Sequence, residues 1–184
     1  MKLIPKDKAP SLTVPRMGGG NWSLANQRPE TFLLLIFYRG HHCPICKTYL
    51  EKLNDLLGDA SKQGITVFVA SGDTEERARK SWDEWKIDDI DLGYGMTVAQ
   101  MDEWGLYISS AIAEEEPSVF GEPGLFLIKP DHTIYYGAYN SMPMGRPNIN
   151  EVIEFVKFIR KEDYPARGEK SIETKLEGSL AISN

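Results

Sequence analysis

Cysteine is scarce in this chain. Only two occur among 184 residues, at positions 43 and 46. That excludes a disulfide-stapled scaffold and leaves no second cysteine pair for a four-thiolate zinc site. Long hydrophobic runs are missing too. The longest, Phe32 to Tyr38, falls far short of the ~20 residues a membrane-spanning helix needs. No basic stretch stands out, and the formal net charge is -6 with a pI of about 5.2. A nucleic-acid or anionic-membrane partner therefore has no electrostatic footprint to use. Repeats and low-complexity linkers are absent. The opening Met1 to Asp7 carries no apolar core of a secretory signal, which predicts a cytoplasmic protein; a signal already removed would allow periplasmic export instead. Length and composition predict one domain over residues 1–184, with an N-terminal arm (1–30) and a polar C-terminal tail (162–184).

What is present centres on Cys43-Pro44-Ile45-Cys46. This motif stands where an apolar, strand-length run gives way to a helical pattern. Pro44 suits the first helical position, where its missing N–H costs nothing. The first thiol then sits at a helix N-terminus and the second one turn inside. The positive end of the helix dipole favours thiolate there, and thiol pKa values at such places drop from ~8.5 to ~3.5–7.5. Thiol redox chemistry is the reading this supports.

The rest of the chain alternates strand and helix signals. Thr31 to Tyr38 predicts a buried central strand. Ile45, Tyr49, Leu53, Leu56 and Leu57 recur at helical spacing up to Gly64. Ile65 to Ala70 predicts a second buried strand. Asp73 followed by Glu76 predicts a helix cap with its capping-box partner, opening a helix toward Trp85. A further helix is expected over Val98 to Trp104. Leu125 to Lys129 and Thr133 to Tyr136 flank a Pro-Asp-His turn and predict an antiparallel pair. Ile149, Val152, Ile153, Val156 and Ile159 mark the inner face of a last helix. The first thirty residues, rich in Pro and Gly, predict an extended arm with a short strand near Ser11 to Val14. The sum is a βαβ unit followed by a ββα unit: an α/β, thioredoxin-like fold with a central mixed sheet flanked by helices.

Four stretches carry a family resemblance: Lys8 to Thr13, Phe37 to Cys46, Ala70 to Asp73, and Gly124-Leu125-Phe126-Leu127-Ile128 through Met142-Pro143-Met144-Gly145-Arg146. From Asp7 to about Arg160 the chain resembles the peroxiredoxin-like branch of the thioredoxin superfamily, the alkyl hydroperoxide reductase and thiol-specific antioxidant proteins. The resemblance implies that Cys43 attacks a peroxide, that Cys46 resolves the resulting sulfenic acid, and that Arg146 matches the arginine near the last helix. It also implies an external thiol reductant, such as a thioredoxin or glutathione system, and a homodimer. No metal, haem or nucleotide cofactor is implied. Two positions depart from the family pattern. Gly40 stands where a Thr or Ser precedes the attacking cysteine, and Pro123 stands where an arginine precedes the Gly-Leu-Phe run. Pro123 resembles instead the cis-proline that faces the thiols of thioredoxins. Arg39 and His42 are the residues placed to take over peroxide orientation.

Other readings use the same residues. A disulfide reductase would let Cys43 attack a disulfide and Cys46 resolve the mixed disulfide. A non-catalytic redox sensor or interaction module would display the Cys43–Cys46 state to a partner. A zinc site would have to draw on His41, His42, Cys43 and Cys46, four ligands crowded into six residues. The adjacent histidines should point apart. Trp82, Trp85 and Trp104 read as core or interface aromatics, and Glu114-Glu115-Glu116 as a solvated loop.

Overall fold

The structure, a computed structural model, describes residues 2–170. The chain begins with a hairpin, β1 (Thr13–Pro15) and β2 (Asn21–Ser23), followed by a 3-10 turn at Leu24–Asn26. Next come β3 (Phe32–Phe37), α1 (Pro44–Asp55), α2 (Leu57–Lys62), β4 (Ile65–Ala70), α3 (Glu75–Glu84), β5 (Leu92–Gly93) and α4 (Val98–Glu103). The second half holds β6 (Ile108–Ser110), β7 (Val119–Gly121), β8 (Gly124–Ile128), β9 (Ile134–Tyr139) and α5 (Ile149–Glu162). The main sheet has the order β5-β4-β3-β8-β9. β3 runs parallel to β4 and antiparallel to β8, and β8 runs antiparallel to β9. This is the mixed, thioredoxin-like α/β arrangement that the element order implies.

β3 is central because every residue in it is apolar, which suits a strand covered on both faces. All six are buried. Alternate side chains feed two different cores, as the period of two requires. Leu34 and Ile36 join α1, α3 and α5 on one face. Leu33, Leu35 and Phe37 join the β1–β2 hairpin, α4, Trp104 and Phe126 on the other. Phe126 is fully buried, with the rings of Phe37, Trp104 and Tyr139 edge-on around it at 5.9, 5.2 and 5.3 Å.

The five marked positions of α5 are all buried. In α1 the buried stripe is Cys46, Leu50 and Leu53, while Ile45 is 40% exposed. Leu53 is buried as expected, and Tyr49, Leu56 and Leu57 pack against the same core; Ile45 alone leaves the expected face, because Cys46 behaves as a small apolar side chain and takes the core position. The helical segment also breaks at Leu56, beside Asn54, Asp55 and Gly58, all weak helix formers. The cap of α3 is Thr74 rather than Asp73; its side chain accepts the Arg77 N–H at 3.4 Å. The capping box lies instead on α4, between Thr97 and Gln100. Trp85 and Trp104 are core residues, as read from sequence.

The N-terminal arm is tied to the sheet. Lys6 and Asp7 exchange backbone hydrogen bonds with Ile134, and Leu3 bonds the Tyr139 hydroxyl. After α5, Tyr164 packs on Phe155 and Phe158 and its carbonyl accepts the Tyr135 hydroxyl at 2.7 Å. The start of the tail is therefore a packed arm; positions 171–184 lie outside the described residues. Among the described residues no helix is long and apolar enough to cross a membrane.

Truncating Phe126 to Ala should destabilise the protein by about 3–5 kcal/mol, since it empties the aromatic cluster of one core. Ile112→Ala, at a position 94% exposed, should stay within about 0.5 kcal/mol of the parent. Denaturant unfolding of both variants checks the pair.

Candidate active site

The thiols lie where β3 ends and α1 begins. The strand delivers Phe37 and Tyr38 into the core, and the chain then turns through Arg39-Gly40-His41-His42 to reach Cys43. Gly40 has φ +128, a conformation open in practice to glycine. Cys43 is the N-cap of α1. Its sulfur accepts the Cys46 backbone N–H at 3.2 Å, so it fills the place that a Ser or Asp oxygen usually takes. Both cysteines are free and buried, Cys43 at 1% exposure and Cys46 at 0%.

Their acidities diverge. The hydrogen bond from the Cys46 thiol holds the Cys43 thiol down at about 7; the Cys46 backbone N–H and the charges of Arg146 and Arg39 add to this against opposing burial. Cys46 moves far upward. Burial is the main cause, followed by the proton it shares with Cys43 and the neighbouring thiolate charge. One nucleophile and one protonated partner result.

The expected site residues gather unevenly around this pair. The Arg146 guanidinium lies 4.2 Å from the centre of the Tyr49 ring, and the Tyr49 hydroxyl donates to the Pro147 carbonyl at 2.7 Å. Both terminal nitrogens of Arg146 are buried and have no hydrogen-bond partner among the described residues. Arg146 lines three adjoining clefts, of about 810, 430 and 270 Å³. Neither cysteine lines any of the three, while the Arg146 charge still lowers the Cys43 pKa.

Arg39 is held by two carboxylates, with Glu116 at 3.3 Å and Glu122 at 3.4 Å, and its guanidinium covers the Phe120 ring at 4.7 Å. His42 packs on the same ring at 4.7 Å, and its Nδ1 lies 3.4 Å from Arg77. Burial, then the positive charge of Arg39, lowers its pKa, so this imidazole is neutral near pH 7. His41 diverges as expected. It stacks on Trp85, with Nδ1 3.2 Å from the Ser81 hydroxyl. The set His41, His42, Cys43 and Cys46 does not converge, and among the described residues no three metal-ligating side chains do.

Pro123 departs from expectation. No peptide bond among the described residues is cis, so the proline is trans. Its carbonyl accepts the Asn140 N–H. The reason is its place at the entrance to β8, where an extended chain continues straight from β7 into the sheet.

Three groups near the thiols were not read as site residues from sequence. Glu116 belongs to the acidic run read as solvated, yet it folds back onto Arg39 and accepts the Ile112 N–H at 2.8 Å. Glu122 is buried at 4% exposure and accepts the Ser109 hydroxyl at 2.7 Å. Asp73 is buried at 1% exposure, bonded to the His41 N–H and to Arg77. The one signal available was the position of Asp73 at the end of a buried strand.

The alkylation rate of the reduced protein should rise with pH through a midpoint near 7, with Cys43 as the modified residue. In Arg146→Met the midpoint should move upward, because a cation that favours the thiolate is gone. Rate profiles against pH, with the adduct located by mass spectrometry, test both statements.

Comparison with known proteins agrees with this geometry. The sequence model of the AhpC/TSA family matches residues 5–137. That span includes both cysteines, Arg39, His42 and Pro123, and ends before Arg146. Curated proteins of two Mycobacterium tuberculosis strains bearing the name "Putative peroxiredoxin" are 36% identical over 76 residues, 41% of this chain and 48% of theirs. The chain thus spans about half the length of the curated relatives it matches. Among solved structures, a peroxidoxin of Mycobacterium tuberculosis superposes with a TM-score of 0.71 at 15% identity, covering 86% of this chain and 99% of that one. A thioredoxin domain of a thiol-disulfide oxidoreductase from Bacteroides vulgatus gives 0.61 at 18% identity, covering 84% and 99%. Both share the fold. With the family pattern running through the cysteine loop and the central sheet, the chain belongs to the AhpC/TSA family.

Proposed function

We propose that the protein is a thiol-dependent peroxidase in which Cys43 is the attacking residue and Cys46 the resolving one. The observation that carries this reading is the Cys43 sulfur itself. It caps a helix, accepts an amide proton, and is the one thiol of the pair whose pKa lies near neutrality. In the first step the Cys43 thiolate attacks the terminal peroxide oxygen. The O–O bond breaks, Cys43 becomes a sulfenic acid, and the alkoxide or hydroxide leaves with a proton. In the second step the Cys46 sulfur attacks Cys43, water leaves, and a disulfide forms. Two electrons from an external dithiol or two monothiols return both cysteines to the reduced state.

Arg146 and Arg39 are the charged side chains that act on the reacting sulfur, and His42 directly precedes it in the chain. The two arginines favour thiolate and the developing negative charge on the leaving oxygen. Neutral His42 is suited to take the proton released as the Cys43 thiol ionises and to hand it on to that oxygen. Pro123 supplies a wall at the start of β8. A cytoplasmic location, a single domain over the whole chain and a homodimer complete the proposal, on family resemblance.

Disulfide reduction through the same cysteines is the second reading. Gly40 and Pro123, standing where the family carries a hydroxyl and an arginine, favour it. The burial of Cys43 favours the peroxidase. A peroxide reaches a buried sulfur through a much smaller opening than a protein disulfide requires.

Stopped-flow reaction of the reduced protein with hydrogen peroxide distinguishes them. The peroxidase reading expects a rate far above that of a free thiolate, a sulfenic acid trapped at Cys43 in Cys46→Ser, and loss of reaction in Cys43→Ser. A rate equal to a free thiolate, with rapid reduction of a model disulfide, would select the second reading.

A further inference from the structure

Gly40 and Asp73 meet in a way that no isolated reading of either suggests. A Cβ built at position 40 would lie 2.6 Å from Asp73 Oδ1 and 2.8 Å from Oδ2. The carboxylate therefore occupies the space that a side chain at position 40 would need. From there it accepts the His41 backbone N–H through Oδ2 at 2.7 Å. Its other oxygen, Oδ1, accepts from Arg77 Nε at 3.0 Å. The Asp73 side chain is fully buried, and its own backbone N–H is held by the Ser71 hydroxyl at 3.2 Å. Asp73 thus reaches from the end of β4 across to the loop that leads into Cys43, and is braced from behind by α3.

We propose that Asp73 is the positioning residue of the cysteine loop, fixing Gly40 to His42 so that the Cys43 sulfur meets the Cys46 N–H. The inference rests on Cys43 being the nucleophile of the proposed function. In the family pattern a hydroxyl-bearing residue occupies position 40; here a carboxylate from the connection between β4 and α3 fills that volume and grips the loop by its backbone. The grip matters because the cap contact is local. The Cys43 N–H donates to the Gly40 carbonyl, so a shift of residues 40–42 is passed directly to Cys43. Loss of the cap removes one of the donors that hold the thiolate.

The test turns on sign. Asp73 is also a negative charge near the site, and removing a negative charge by itself makes a nearby thiol more acidic. Loss of positioning does the opposite. Cys46 acts on Cys43 through hydrogen bonds and Arg146 and Arg39 through their charge, and these stay in place; in Asp73→Ala the Arg77 cation beside His42 loses its carboxylate, which also favours thiolate and so opposes the expected rise. The Cys43 pKa is read from thiolate ultraviolet absorbance and from alkylation rate against pH, in Asp73→Ala, Asp73→Asn and Gly40→Ala of the full chain. The expected result is a rise of about one unit toward the free-thiol value of ~8.5 in Asp73→Ala and Gly40→Ala. In Asp73→Asn, which keeps an oxygen for the His41 N–H, the pKa should match the parent or lie below it. An unchanged or lowered pKa in Asp73→Ala overturns the inference. If Asp73→Ala does not fold, the contrast between Gly40→Ala and Asp73→Asn decides, and equal values in those two overturn it. A parent pKa that is already that of a free thiol would instead count against the proposed function.

Discussion

A sulfur atom takes the place of an oxygen at the start of α1, and the surrounding structure answers to that contact. A helix leaves its first N–H groups without partners, and inside a protein each needs one. Cys43 supplies the partner for Cys46, so the reactive atom is also a structural cap. The two demands agree only in one charge state. A thiolate accepts the amide proton better than a thiol does, so completing the helix and activating the sulfur proceed together. The strand that carries Cys43 to this point is buried along its whole length, and it fixes the loop from the inside.

Charge around the sulfur is arranged in opposed pairs rather than as a simple positive field. Arg146 lies over Tyr49 with its terminal nitrogens buried and unpartnered among the described residues, and its charge favours the Cys43 thiolate. Arg39 is flanked by Glu116 and Glu122, which together outweigh it. Buried ions are tolerated when paired, and breaking a pair is costly. Glu122 and Arg39 therefore define a rigid wall, while Glu116, on the connection between β6 and β7, ties that connection to the site. Phe120 touches both groups, with the Arg39 guanidinium over its ring and the His42 imidazole tilted against it.

Much of this was legible in the sequence, and the parts that were not share a cause. The apolar run Phe32–Phe37 could be placed in the middle of a sheet because no other environment suits six consecutive buried residues. The inner face of α5 followed from spacing alone. The helix start at Pro44 followed from the chemistry of its first turn. By contrast, Ile45 was placed on the inner face of α1 because Cys46 was weighed as a reactive group and not as a core residue. Asp73 was assigned to a cap because local spacing cannot reveal a bond made 32 residues upstream. The short strands β5, β6 and β7 left no periodic signal, and the Glu116 contact spans 77 residues. Local rules located the thiols. The groups that tune them arrive through tertiary contacts.

The burial of Cys46 gives the site a direction. Suppose a disulfide joins the two sulfurs. An incoming thiolate can strike either one, and exchange is faster when the departing sulfur is the more acidic. The acidic sulfur here is Cys43, so the fast route is attack on Cys46. That atom lies a full turn inside the helix, with no exposure at all. Cys43 is no more open, at 1% exposure, so either route needs movement at the first turn of α1 before an outside thiolate can reach a sulfur. Oxidation and reduction thus run over different barriers on the same two atoms. For any reductant larger than a peroxide, the first turn of α1 is thus the entrance to the site as well as its support.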